Sequence, residues 1–153
     1  LAMGNAMSTF TAQNIGAGKP ERARKSLWYG MSFALFVSFL FWIWAQFNPA
    51  SMIRVFSSDE NIIAVGIPFF RSCSYDYILV AIVFCLNGYL NGRQKTVWTM
   101  ISCSAGALLL RIPMVYFFSD LGMLGKIAPI VSGIMALYTL IYVLYEGKKS
   151  SAV

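Results

Sequence analysis

Three charged residues, Arg71, Asp76 and Arg111, stand inside otherwise apolar stretches of this chain. A charge at membrane depth costs a few kcal/mol or more, so such residues are kept where they pair with one another or serve a pathway. A carboxylate so placed can exchange a proton, a metal cation or a cationic solute. Asp76, Arg111, Arg71 and the neighbouring Tyr75 are therefore the candidate residues for a substrate or ion pathway.

Other chemistry is poorly provided for. The chain has no histidine, and Cys73, Cys85 and Cys103 lie in apolar segments without CxxC spacing, so neither a structural metal site nor a His-based triad is expected. No nucleophile is paired with a base, which argues against an enzyme, and no cofactor is implied beyond H+ or Na+ as a coupling ion. Twelve Lys and Arg against six Asp and Glu give a net charge of +6, but the bases sit between apolar runs and form no nucleic-acid-binding face.

The stretch "GAGKPERARK" from Gly16 has the look of a phosphate loop. A P-loop needs GxxxxGK followed by Ser or Thr, yet Gln13 stands at the first glycine position and Pro20 where the hydroxyl belongs. Glycines that can end one helix, followed by a proline suited to the first turn of the next, describe a turn instead. Lys19, Arg22, Arg24 and Lys25 then form a cytoplasmic loop that faces headgroups and fixes topology.

The elements that position these residues are helices. With 58% apolar residues the composition is that of a membrane protein. A spanning helix needs about 20 apolar residues, and four segments qualify. Segment 27–48 is uncharged, 62–90 holds only Arg71 and Asp76, 97–118 only Arg111, and 126–145 is uncharged after Lys126. Segment 1–18, uncharged and rich in small residues, reads as the end of a preceding helix packed in a bundle. The expected fold is all-α, a polytopic transmembrane helix bundle with four full spans plus that helix end.

Charge in the connections alternates. Lys19 to Lys25, Arg93 with Lys95, and Lys148 with Lys149 mark the cytoplasmic side, whereas Arg54 with Asp59 and Glu60, and Asp120 with Lys126, are near neutral and belong outside. The chain is thus expected in the cell membrane, multi-pass, with the bilayer as partner and its carboxy terminus in the cytoplasm. The second and third spans make a hairpin about the loop 91–96. Asp76 and Arg111 lie equally far from that loop, each at a depth of about 22 Å. An ion pair across the hairpin is geometrically available, with Arg71 about one and a half turns further out. Two readings are open: a structural pair that fixes register, or a carboxylate that changes partners during transport. Pro113 is expected to kink the third span beside Arg111. Asn87, Gly88, Asn91 and Gly92 read as hydrogen-bonding and close-packing positions.

"AQNIGAGKPERARK", "NGYLNGRQKT" from Asn87 and "RIPMVYFFS" from Arg111, in this order and spacing, resemble the carboxy-terminal part of the MATE (multidrug and toxic compound extrusion) transporters along essentially the whole chain. The resemblance implies twelve helices in two lobes. This chain would supply the end of helix eight (1–18), helices nine to twelve (27–48, 62–90, 97–118 and 126–145) and a cytoplasmic tail (146–153). It also implies a missing amino-terminal lobe, and export of organic cations in exchange for H+ or Na+ by alternating access. Some members carry an acidic cation-site residue at the position of Val80, and here Asp76 lies one turn earlier on nearly the same face. The chain opens Leu-Ala-Met-Gly, without an initiator Met or signal pattern, and further sequence upstream is expected. The alternatives are a flippase-like transporter of lipid-linked saccharides and an accessory membrane subunit without transport of its own.

Overall fold

A computed structural model describes residues 1–117 and 121–150, with side chains for 1–117 and 125–146. Phe118, Asp120, the side chains of Lys148 and Lys149, and tail residues 151–153 lie outside this described part. Everything regular within it is helical: α1 (Ala2–Gly16), α2 (Pro20–Phe47), α3 (Pro49–Arg54), α4 (Glu60–Cys73), α5 (Asp76–Gly92), α6 (Thr96–Ala105), a π-helical turn (Gly106–Arg111), α7 (Ile112–Phe117) and α8 (Leu121–Ser150).

Three helical stretches are long and apolar enough to cross a membrane, Pro20–Phe47, Thr96–Phe117 and Gly125–Glu146. A fourth crossing exists if α4 and α5, bent by 45° at their junction, count as one span. The expected second span is therefore broken. The last helix also continues past Tyr145 to Ser150, so the expected tail begins as helix.

The turn between α1 and α2 is explained by its residues. Gly18 takes φ +69; its amide donates to the carbonyl of Ile15 at 2.9 Å, and that of Lys19 donates to Asn14 at 2.8 Å, the paired bonds of a Schellman ending. Gly16 stays helical. Pro20 opens α2 with Glu21 in its first turn. Of the four bases assigned to a loop, only Lys19 lies in one. Arg22, Arg24 and Lys25 are on α2, because a helix that starts at Pro20 runs straight through the helix-favouring Glu-Arg-Ala-Arg-Lys run. All four are exposed.

The α5–α6 turn repeats this geometry with a different residue. The amide of Gln94 donates to Asn91 and that of Lys95 to Leu90, both at 3.0 Å, and Gln94 holds φ 63 where the first turn has glycine. A side chain in that conformation costs roughly 1–2 kcal/mol. Gln94→Gly is accordingly expected to raise stability by about 1 kcal/mol, read as a higher thermal midpoint in detergent. An unchanged or lower midpoint would contradict the strain.

At the centre stands α5, packed against α1, α2 and α8. Met7, Leu27, Met31, Cys85, Leu86, Leu90 and Val143 are buried there. α1 and α5 run in the same direction and touch backbone to backbone. A Cβ at Gly88 would collide with the carbonyl of Gly4, one at Gly92 would lie 2.6 Å from the Cβ of Thr11, and one at Gly4 would lie 3.1 Å from the carbonyl oxygen of Phe84. Gly4 and Ser8 on one helix face Gly88 and Gly92 on the other, the small-xxx-small spacing that lets membrane helices approach. The close-packing reading of Gly88 and Gly92 matches this contact.

Since α1 and α5 are parallel, the turns at their carboxy-terminal ends share one end of the bundle. Glu146 of α8 joins them there, 3.7 Å from Arg93 and 3.6 Å from Lys95. Arg93 also lies 5.7 Å from the ring centre of Tyr89. Trp98 stacks on Tyr142 at 4.2 Å and on Tyr138 at 5.2 Å, tying α6 to α8.

Candidate functional site

The break between α4 and α5 falls immediately before Asp76. Ser74, fully buried, turns its hydroxyl back to donate to the carbonyl of Arg71 at 2.7 Å, a local bond that competes with helix continuation. Gln46, near the end of α2, donates from its amide nitrogen to the same carbonyl at 3.0 Å and to the Ser74 hydroxyl oxygen at 2.8 Å. One turn earlier on α2, Trp42 lies against Tyr75 with ring centres 5.7 Å apart. Asp76 then begins α5, at the positive end of the helix dipole, which favours a carboxylate; the amide of Tyr77 donates to the Ser74 carbonyl at 3.2 Å.

Among the described residues no ion pair involves Asp76, Arg71 or Arg111. The Asp76–Arg111 bond that equal depth allowed is absent. One carboxylate oxygen of Asp76, Oδ1, is buried without a hydrogen-bond partner, while Arg111 and Arg71 are exposed. Depth fixes height along a span but not which helix stands beside it. α8 packs against α4, α5 and the π-helical turn, whereas α6 meets α5 more sparsely, with Asn87 Nδ2 reaching Cys103 Sγ at 3.5 Å. Arg111 instead lines an open groove with Ile112, Val115 and Tyr116.

Pro113 lies in α7, directly beyond the π-helical turn. It has no amide to donate, and its ring crowds the carbonyl four residues back, so the preceding turn is wound wide. The structure shows this π-helical turn beside Arg111, where a kink is expected. The turn's lower end rests on α8, where a Cβ at Gly106 would collide with the sulfur of Met135.

An open cavity of about 710 Å³ lies between α1, α2, α3 and the α4–α5 pair. Phe33, Phe41, Phe56, Phe70, Tyr77 and Phe84 supply aromatic walls, and Ser38 and the Tyr77 phenol its side-chain hydroxyls. Its size is in the range of small-molecule sites, and its lining suits a flat apolar solute. Val80 lines this space, whereas Asp76 stands one turn away at the break and is not part of the wall. Asp76 thus makes no ion pair with Arg111 or Arg71, and Tyr75 is brought against α2.

Gln46, Trp42 and Glu146 are not singled out as site residues by sequence reasoning. For Glu146 a signal exists, an acid among bases assigned to one side. Gln46 offers none beyond being a polar residue in an uncharged span.

The chain is 26% identical over 117 residues to an FAD transporter of Shewanella oneidensis, an overlap of 74% of this chain and 25% of that protein. The chain therefore spans about a quarter of that relative's length. No solved structure gives a significant match. The MatE family model matches residues 1–117, which takes in every element through α7 and leaves α8 beyond it, so the chain belongs to the MatE family of membrane transporters.

Proposed function

We propose that this chain is part of a secondary active multidrug efflux antiporter, which exports an aromatic organic cation in exchange for H+ or Na+ by alternating access. The observation that carries this reading is the aromatic-walled cavity of about 710 Å³ beside a broken span in which Asp76, first residue of the second half, has a buried oxygen without a partner among the described residues. The cavity offers stacking surface for a flat solute. The carboxylate offers a site where a proton or sodium ion can be taken up and released, and the break exposes backbone in the way that cavities in transporters use.

Three basic turns or helix ends gathered at one end support a cytoplasmic placement for that end and for the carboxy terminus, with the exposed apolar rows of α2 and α8 facing lipid. The cargo, the coupling ion and the second lobe with which this one alternates belong to the same proposal.

A second reading takes the solute to be a flavin nucleotide. The likeness to an FAD transporter favours it. An isoalloxazine ring would suit the same aromatic walls.

Vesicles containing a complete MatE transporter that includes this chain should move ethidium outward under an imposed proton or sodium gradient, with little effect of added FAD. FAD efflux at the expense of ethidium transport would favour the flavin reading. Flux indifferent to both gradients would sink antiport.

A further inference from the structure

The junction at Ser74 and Tyr75 is held from outside its own span. In a continuous helix the carbonyl of Arg71 would accept from the amide of Tyr75. Among the described residues it accepts instead from the Ser74 hydroxyl and the Gln46 side chain, at 2.7 and 3.0 Å. Gln46 also reaches the Ser74 oxygen at 2.8 Å, so the three groups close a small ring of hydrogen bonds. Trp42, on the same face of α2, adds the contact with Tyr75. Its indole nitrogen is buried without a partner, so its place there is set by packing.

We propose that Gln46 is a positioning residue for Asp76: by satisfying the freed carbonyl of Arg71 from α2, it keeps the broken span open so that the carboxylate stands at the first turn of α5. This inference rests on the antiport reading of Asp76. Without Gln46 the Arg71 carbonyl is left with the Ser74 hydroxyl alone, and the helix can regain the Tyr75 bond by closing the break. Closing it carries Asp76 from a helix start into a helix interior. There the positive end of the helix dipole no longer favours its charge. A movement of α2 relative to α4 and α5 acts on the same bonds, so solute seated against Phe33 and Phe41 of α2 and the coupling carboxylate are linked through Gln46.

The ionisable groups about Asp76 are few. Cys73, Tyr75 and Tyr77 flank it on the broken span, with Arg71 further out. On the third span Arg111 makes no ion pair with it, and on α8 the exposed Lys126 is next to Gly125, where that helix packs on Phe69 and Ser72. α1 and the outer end of α2 contribute no ionisable side chain at this level.

The test uses the complete transporter in vesicles, with ethidium as solute and sodium held constant, across a range of pH. Gln46→Leu should shift the pH midpoint of transport. The ethidium KM should stay within about twofold, a change of roughly 0.4 kcal/mol. Ser74→Ala, a smaller lesion in the same ring, should shift the midpoint in the same direction by less. As an independent readout, Cys73 in a Cys85→Ala, Cys103→Ala background should be alkylated at a different rate when Gln46 is replaced. Asp76→Asn in parallel separates the two ideas. If Asp76→Asn abolishes coupling but Gln46→Leu leaves the midpoint and the Cys73 rate unchanged, the positioning role is overturned and the antiport reading stands. If coupling survives Asp76→Asn, the antiport role of Asp76 falls, and the positioning role with it.

Discussion

Gly88→Val is expected to cost on the order of 3 kcal/mol, the upper range for overpacking a tight contact, and to lower the thermal midpoint of the protein in detergent accordingly. The reason is geometric: even a Cβ at Gly88 collides with the carbonyl of Gly4, and that neighbour is backbone, which cannot swing aside as a side chain does. α1 must then move off α5, and the contact at Gly92 against Ser8 and Thr11 is lost with it. Association of apolar helices in lipid draws on close packing, so a separation of this kind has little to offset it. Gly16→Ala is the control. Nothing lies within 4 Å of a Cβ there, and a helical glycine replaced by alanine gains up to about 1 kcal/mol. If Gly88→Val melts with the parent, the α1–α5 contact is not the one described.

Much of this packing is legible in the residues. Gly4, Ser8, Gly88 and Gly92 fall four apart in pairs, and four-residue spacing of small side chains has a physical meaning in a membrane helix. The turn at Gly18 is legible for a similar reason, since a left-handed residue calls for glycine and a proline can open the next helix. The equivalent turn at Gln94 is not, because nothing in glutamine announces a positive φ; only the pairing of Lys95 with Leu90 reveals it. Uninterrupted hydropathy conceals the break at Ser74. A serine and a tyrosine fit within an apolar run, and the group that opens the helix is Gln46, 28 residues earlier in the chain. Nor can depth alone show that α8 packs against α4 and the π-helical turn while Asp76 and Arg111 stay apart. Height along a span is a count of residues. Lateral neighbours are a property of the whole bundle.

The separation of Asp76 from Arg111 turns one substitution into a decisive experiment. Were the two a structural ion pair, removing one partner would leave an uncompensated buried charge, and Asp76→Asn would destabilise the protein by roughly 3–5 kcal/mol. With Oδ1 buried and unpartnered, the carboxylate gains no such bond in the folded state. A neutral amide of the same shape is less costly to bury. Asp76→Asn is therefore expected to melt at or above the parent's temperature. Its gradient-driven ethidium flux should nonetheless fall roughly tenfold or more, a loss of about 1.4 kcal/mol at the least. An amide cannot release a proton or balance a sodium ion, whereas the aromatic walls that hold the solute are untouched. Exchange of ethidium down its own gradient should accordingly persist with an unaltered KM. Loss of stability together with preserved coupling would assign Asp76 to structure and remove it from the transport cycle. Preserved stability with lost coupling is the outcome that an unpaired carboxylate at a helix break requires.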